Sequence, residues 1–338
     1  MVSVASEPSH SHNSQGDGLD PPETEDRRRM ELRLFHYYIT VAGPTLGYDK
    51  EGTEAFLSDV PRLALEYDAL LYSIFLISAL HRYHSDPNNS ESRSAYPAYL
   101  ALVIREHTKD VKAISKSNID AVCLTSSMLR AGAFALLQKR ELEPYSPPTQ
   151  WLQLQNDGVH IFRMAWELSQ DDEDCVILKL IRRMPILIDE KAKFAESNRR
   201  DFLHLLRRTS KDEATEPWNE EVQVAYQSTV SYIGSIWLAM EARISGAEIF
   251  RRIMVFGSMI KKPFIGLVEQ QQPRALVILA YYFGILSMFS DVWWFGKSGE
   301  REVEAIKTVL PLEWQDLMAW PLDIVHNGQQ YLVTKDVT

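Results

Sequence analysis

Cysteine is nearly absent from this chain of 338 residues, Cys123 and Cys175 being the only two. Two thiols cannot build a disulfide framework or a cysteine-rich zinc site, so a reducing intracellular compartment, cytoplasmic or nuclear, is expected. Excess positive charge is missing as well. With 36 Lys and Arg against 46 Asp and Glu, the formal net charge is −10. A sequence-independent grip on phosphates needs a clustered basic face, so direct nucleic-acid binding is not expected. The segment MVSVASEPSHSHNSQGDGLDPPETED has neither a basic n-region nor an apolar h-region, and no N-terminal signal is predicted. The longest uncharged runs are Val222–Met240 and Ala275–Ser290. The first contains Gln, Ser, Thr and Gly, and the second is short for a bilayer. Both read as buried helices of a soluble protein with no membrane span.

Familiar catalytic signatures are missing too. There is no GxxxxGK[ST], no GxGxxG after a strand, no GxSxG and no HExxH. His81 and His84 lie three apart at the end of an apolar run, without the acid and third ligand of a metal site. They read as helix C-terminal histidines favoured by the dipole. His10 and His12 have no further ligands near them. Residues 169–175 (SQDDEDC) lack the glycine and the terminal bidentate glutamate of a calcium loop. Arg27, Arg28 and Arg29 read as the solvated face of a helix start. Cys123 sits on an apolar helix face with nothing to lower its pKa, and is expected to be inert core. No metal and no cofactor are expected.

Strand signals are absent: no sustained β-branched alternation with hairpin turns occurs, and no repeat of 34–45 residues. What remains is helical periodicity. Residues 1 to about 24 are Ser, His, Asp, Gly and Pro with little apolar content, and a disordered tail is expected there. Residues 25–338 are expected to form one all-α domain. Its first helix starts near Glu25 and ends at Gly43-Pro44, with Met30, Leu34, Tyr37, Tyr38 and Val41 on one face. A second is opened by Asp59-Val60-Pro61 and runs to His84. Further helices are expected over about 95–114, over 119–138 capped by Ser117-Asn118, and from Thr149 through Trp166. After a short helix and a polar loop across 196–220, Thr215 and Pro217 signal a long helix from Asn219 to about Ile244. A shorter helix holds Arg251 and Arg252, Pro263 breaks the chain, and Pro273 starts another.

That last helix opens the stretch Arg274–Pro321, which holds four of the eight tryptophans: Trp293, Trp294, Trp314 and Trp320. So much aromatic surface must be buried against the core or against a bound apolar molecule.

Several segments resemble the C-terminal regulatory domain of fungal zinc-cluster transcription factors of the sterol-uptake-regulator type. They are LRLFHYYIT (32–40), VPRLALEYDALLYSIFLISALH (60–81), AGAFALL (131–137), WLQLQNDGVHIFRMAW (151–166), RALVILAYYFGILSMFSDVWW (274–294) and EWQDLMAWP (313–321). Their order and spacing agree over roughly residues 28–325. The resemblance implies an all-helical domain enclosing a hydrophobic cavity, which in some members accommodates a sterol, and a domain that often dimerises. The family's N-terminal six-cysteine zinc cluster has no counterpart here, because no cysteine precedes Cys123. Direct reading of DNA is therefore not expected.

Two functions follow from that resemblance. One is a domain that senses or regulates through a sterol- or terpenoid-like ligand, as a homodimer or paired with a full-length relative. The other is a cofactor-independent cyclase of secondary metabolism, a Diels–Alder type of closure in which the cavity preorganises a terpenoid or polyketide. A structural or partner-binding domain is the plain third reading. The ligand-contacting candidates are Tyr72, Phe75, Leu76, Tyr281, Tyr282, Met288, Trp293 and Trp294, which lie on the two most apolar helices and the aromatic turn. Tyr281 and Tyr282 are candidates to donate a hydrogen bond to a substrate carbonyl.

Overall fold

A computed structural model describes residues 23–183, 189–208 and 216–328. Among them every regular element is a helix and no strand occurs, as the missing β alternation implies. Of the tail expected over 1–24 only Glu23 and Thr24 are described; His10, His12 and Thr215 lie outside the described residues.

The helix Pro273–Ser287 is the centre of the core. Pro273 occupies its first turn, where a missing N–H costs nothing. From Arg274 to Ser287 every residue is buried, which suits a helix that is apolar all round. It packs on Glu220–Glu241, Lys262–Glu269, Ser298–Val309 and Ala319–Asn327. The approach of Ser298–Val309 depends on Gly299, where a Cβ would lie 2.5 Å from the carbonyl oxygen of Phe283 and 2.6 Å from the amide nitrogen of Ser287. Each Leu, Ile or Phe buried there contributes roughly 1.5–3 kcal/mol.

Arg274 is the one cation in this helix, and it is 2 % exposed. Its Nε donates to both carboxylate oxygens of Glu216 at 2.8 and 3.0 Å, and Nη1 donates to the carbonyls of Leu205 (2.5 Å) and Arg207 (2.9 Å). Trp314 and Trp218 flank the guanidinium. A buried charge is tolerated when it is paired and hydrogen-bonded in this way.

The first half is built on the helix Asp68–Ser85, which packs on Ser90–Lys112 and Ile119–Leu137. Several boundaries differ from the sequence reading. The run expected as one helix from residue 59 to 84 is two, Val60–Ala64 and Asp68–Ser85. The chain turns extended at Tyr67, whose hydroxyl donates to the carbonyl of Ser117 at 2.7 Å. The helix expected from 95 begins at Ser90, because Asn89 caps it by accepting the amide of Ser92. Thr149–Asp157 and Val159–Ser169 replace the single helix expected from Thr149 through Trp166. Pro263 does not break the chain; it sits in the first turn of Lys262–Glu269. Nor do Gly43 and Pro44 end the first helix abruptly, since the chain continues from Glu25–Tyr37 through a π-turn, Tyr38–Ala42, into a 3-10 turn, Gly43–Thr45.

Side chains from the second half latch onto the first. Arg140 donates to both oxygens of Glu302, at 2.5 and 2.9 Å. Arg301 reaches the carbonyls of Gln138 and Arg140. Gln138 Nε2 donates to the carbonyl of Trp293 at 2.8 Å. The helix Ile119–Leu137 is long and apolar enough to cross a membrane, yet most of it is buried inside the helical core.

Candidate functional site

A cavity of about 600 Å³ lies beside the middle of Ile119–Leu137. Five stretches distant in sequence and Trp294 line it: residues 46–56, the middle of Ile119–Leu137, the pair Val159–Ser169 and Val176–Arg182, Glu190–Phe194, and the stretch 250–261. Most of its wall is apolar, with Met128, Phe162, Trp166, Leu180, Phe250 and Met254 prominent. Its size and apolar lining are those of a small-molecule site.

Local sequence explains the shape. Gly246–Met254 turns Ile249, Phe250 and Ile253 inward. Phe250 stacks on Tyr48 at 4.5 Å between ring centres and meets Trp294 edge-on at 5.6 Å. Val159–Ser169 buries Ile161, Ala165 and Ser169 against Ile119–Leu137 and leaves Phe162 and Trp166 half-buried at the cavity. Gln155 fills the space beside Gly257, and Asn156 donates to the carbonyls of Gly257 (3.1 Å) and Ile260 (2.7 Å). These bonds fix the turn that carries Ser258.

Polar groups on the wall are few. Asp49 accepts the amide of Gly52 and is ion-paired with Arg251. Lys193 pairs with Glu190 at 2.6 Å. Arg130 is 6 % exposed and donates through Nη2 to Ser258 Oγ at 3.1 Å, while Ser258 donates to the carbonyl of Gln155 at 2.7 Å. Burial lowers the pKa of Arg130 to about 10, so it stays cationic at neutral pH.

Of the eight residues singled out from the sequence, Trp294 alone lines this cavity. The others pack elsewhere. Tyr281 stacks on Trp320 and shares a 2.9 Å hydrogen bond with His204 Nε2. Tyr282 stacks on Phe256 at 3.8 Å and donates to the carbonyl of Ile253. Both hydroxyls are therefore engaged inside the protein, and burial raises both phenol pKa values. Phe75 and Tyr72 form an aromatic group with Tyr99. Leu76 is completely buried beside Gly132, and Met288 is buried next to Gly328. Trp293 is half-buried, donates to Thr45 Oγ1 at 2.8 Å and meets His81 edge-on.

Sequence reasoning missed Arg130, Ser258, Phe162 and Phe250. One signal was available: Arg130 is the only charged residue between Asp120 and Lys139, and a lone cation in an apolar helix is costly unless something uses it. His81 and His84 end their helix as expected, but burial lowers both pKa values, which weakens a cationic role at the dipole. Both thiols are buried and burial raises their pKa values, the setting of unreactive cysteines. No cluster of three metal-ligating side chains occurs among the described residues.

No family model matches the chain. Among curated proteins it is similar to the Zn(2)-C6 fungal-type transcription factor afumD of Aspergillus fumigatus, 31 % identical over 78 % of this chain and 69 % of that protein. A Zn(2)-C6 fungal-type transcription factor of Gibberella zeae is 26 % identical over 96 % of this chain and 66 % of its own length. Sterol uptake control protein 2 of Saccharomyces cerevisiae is 21 % identical over 83 % of this chain and 30 % of its length. The chain thus spans about two thirds of the first two relatives and under a third of the third. Its 338 residues hold no six-cysteine cluster.

Proposed function

Because the chain belongs to the family of fungal Zn(2)-C6 transcription factors, we propose that it is a regulatory protein whose helical body, residues 25–338, binds an apolar small molecule of sterol or terpenoid type. The observation that carries this reading is the cavity of about 600 Å³, walled by aromatic and aliphatic side chains with a handful of polar groups. The relatives act as transcription factors, and two of them are named for control of sterol uptake. In this reading the helical body acts through its ligand and through association with itself or with a relative, in the nucleus or cytoplasm.

Titration with ergosterol and a panel of terpenoids tests the ligand. A ligand present at 100 times its Kd stabilises the folded state by about 2.7 kcal/mol and raises the melting temperature. Met254→Trp, which fills the cavity, abolishes the shift. A panel that leaves the melt unchanged overturns ligand binding, and a deletion strain with an unaltered transcript profile overturns regulation.

A second reading, the cofactor-free cyclase, is favoured by one specific feature: the guanidinium of Arg130 presents hydrogen-bond donors at the wall of an apolar cavity. Such donors polarise a carbonyl, and holding two reacting groups together lowers a barrier by as much as about 7–11 kcal/mol. Incubation of the purified protein with a pathway polyene, without metal or nucleotide, decides this. An unchanged product ratio and rate overturns it.

A further inference from the structure

Three basic side chains are buried among the described residues: Arg130, Lys193 and Arg274. Lys193 is paired with Glu190 and Arg274 with Glu216. Arg130 has no carboxylate. Its one hydrogen bond among the described residues goes to the neutral hydroxyl of Ser258, and its guanidinium lies over the ring of Phe162, 5.3 Å from the centroid. Nε and Nη1 make no bond to the described residues, and the side chain borders the cavity.

The rest of the wall has the same sign. Besides Arg130, four basic side chains and two carboxylates line it. Both carboxylates are committed, Asp49 to Arg251 and Glu190 to Lys193. Arg163 and Lys261 stand exposed at the margin. An acidic protein, net −10, has therefore placed uncompensated positive charge around this apolar cavity. A guanidinium held away from water and from counter-charge is costly, and an anion supplied from outside removes that cost. Arginine is also the side chain whose planar fork fits two carboxylate oxygens at once, and it keeps its charge when buried.

We propose that the cavity takes an amphipathic organic anion, an apolar polycyclic or polyene body bearing one carboxylate, and that Arg130, held by Ser258 and Phe162, is its anchor. This rests on the cavity being the ligand site. A neutral sterol alcohol leaves the guanidinium uncompensated and is bound less well than an acid of equal size. Arg163 and Lys261 draw the anion toward the opening, and Met128, Phe250, Met254 and Trp294 cover the apolar body.

Isothermal titration of the full chain with abietic acid and with its methyl ester tests this at constant shape and nearly constant size. The acid is expected to bind at least about tenfold more tightly than the ester, a comparison that needs no substitution. In Arg130→Met the acid loses that advantage and the ester binds as before. Arg130→Lys, which keeps the charge but not the fork, recovers part of the preference. Equal binding of acid and ester by the wild type, or an unchanged preference in a folded Arg130→Met, overturns the anchor and leaves the cavity as a site for neutral ligands. Binding of neither probe, with Met254→Trp also without effect on any terpenoid, overturns the ligand cavity itself.

Discussion

Replacing Trp294 by alanine is expected to destabilise the protein by about 3–5 kcal/mol, the range for a large buried aromatic. Trp294 is 1 % exposed and packs against Phe295 at 4.3 Å and against Phe134 and Phe250 at 5.6 Å each between ring centres. An indole buries roughly 150–250 Å², which at about 25 cal/mol per Å² is roughly 4–6 kcal/mol. One part of its surface faces the cavity, where fewer atoms are lost to contact, so the lower range applies. At about 2.1 cal/mol/K of unfolding entropy per residue, the melting temperature falls by about 4–7 °C. Trp294→Phe sharpens the test. The indole Nε1 has no hydrogen-bond partner among the described residues, and a buried unpaired N–H costs about 1–3 kcal/mol. Phenylalanine keeps most ring contacts and removes that donor, so its cost stays under about 1.5 kcal/mol. Urea unfolding followed by circular dichroism reads both variants. An alanine cost below about 1 kcal/mol, or a phenylalanine cost equal to that of alanine, refutes the packing described around Trp294.

Other expectations concern the core and the response to pH. Arg274→Met takes from buried Glu216 its short ion pair, leaving Arg208 at 3.9 Å, and costs roughly 3–5 kcal/mol, read from the urea midpoint. Gly299→Ala drives a methyl group into the backbone of Pro273–Ser287 and costs about 1–3 kcal/mol, whereas Gly266→Ala, with nothing within 4 Å, stabilises its helix by about 0.5–1 kcal/mol; comparative melts separate the two. Burial pushes His107 down to about 4 from 6.5. Between those values the unfolded chain binds the proton and the folded chain does not, so stability is present above 6.5 and is lost as pH falls toward 4. His107→Gln flattens that slope in urea midpoints measured from pH 7 to pH 4, and an unchanged slope excludes His107 as its source.

The all-α class was legible in the sequence because helices announce themselves locally. Pro273 at a first turn, the charge-free run after Arg274, and Asn219 before an apolar repeat each set a helix within a few residues of its observed bounds. Where tertiary contacts intervene, local signals failed: the stretch read as one helix is split at Tyr67, whose hydroxyl reaches Ser117, fifty residues away. Burial, too, could be read directly, and all of the residues from Arg274 to Ser287 are inside.

The site was decided by tertiary structure. A helix that is apolar all round is one that neighbours enclose completely, so Leu76, Tyr281 and Tyr282 end in close-packed surroundings. A void forms instead where half-buried helices with charged edges meet without closing, as Val159–Ser169, Val176–Arg182 and Gly246–Met254 do around Arg130. Periodicity reports which face of a helix leaves water. Whether that face meets atoms or empty space depends on the placement of stretches as far apart as Leu46, Arg130 and Lys261, and only the folded chain brings those together.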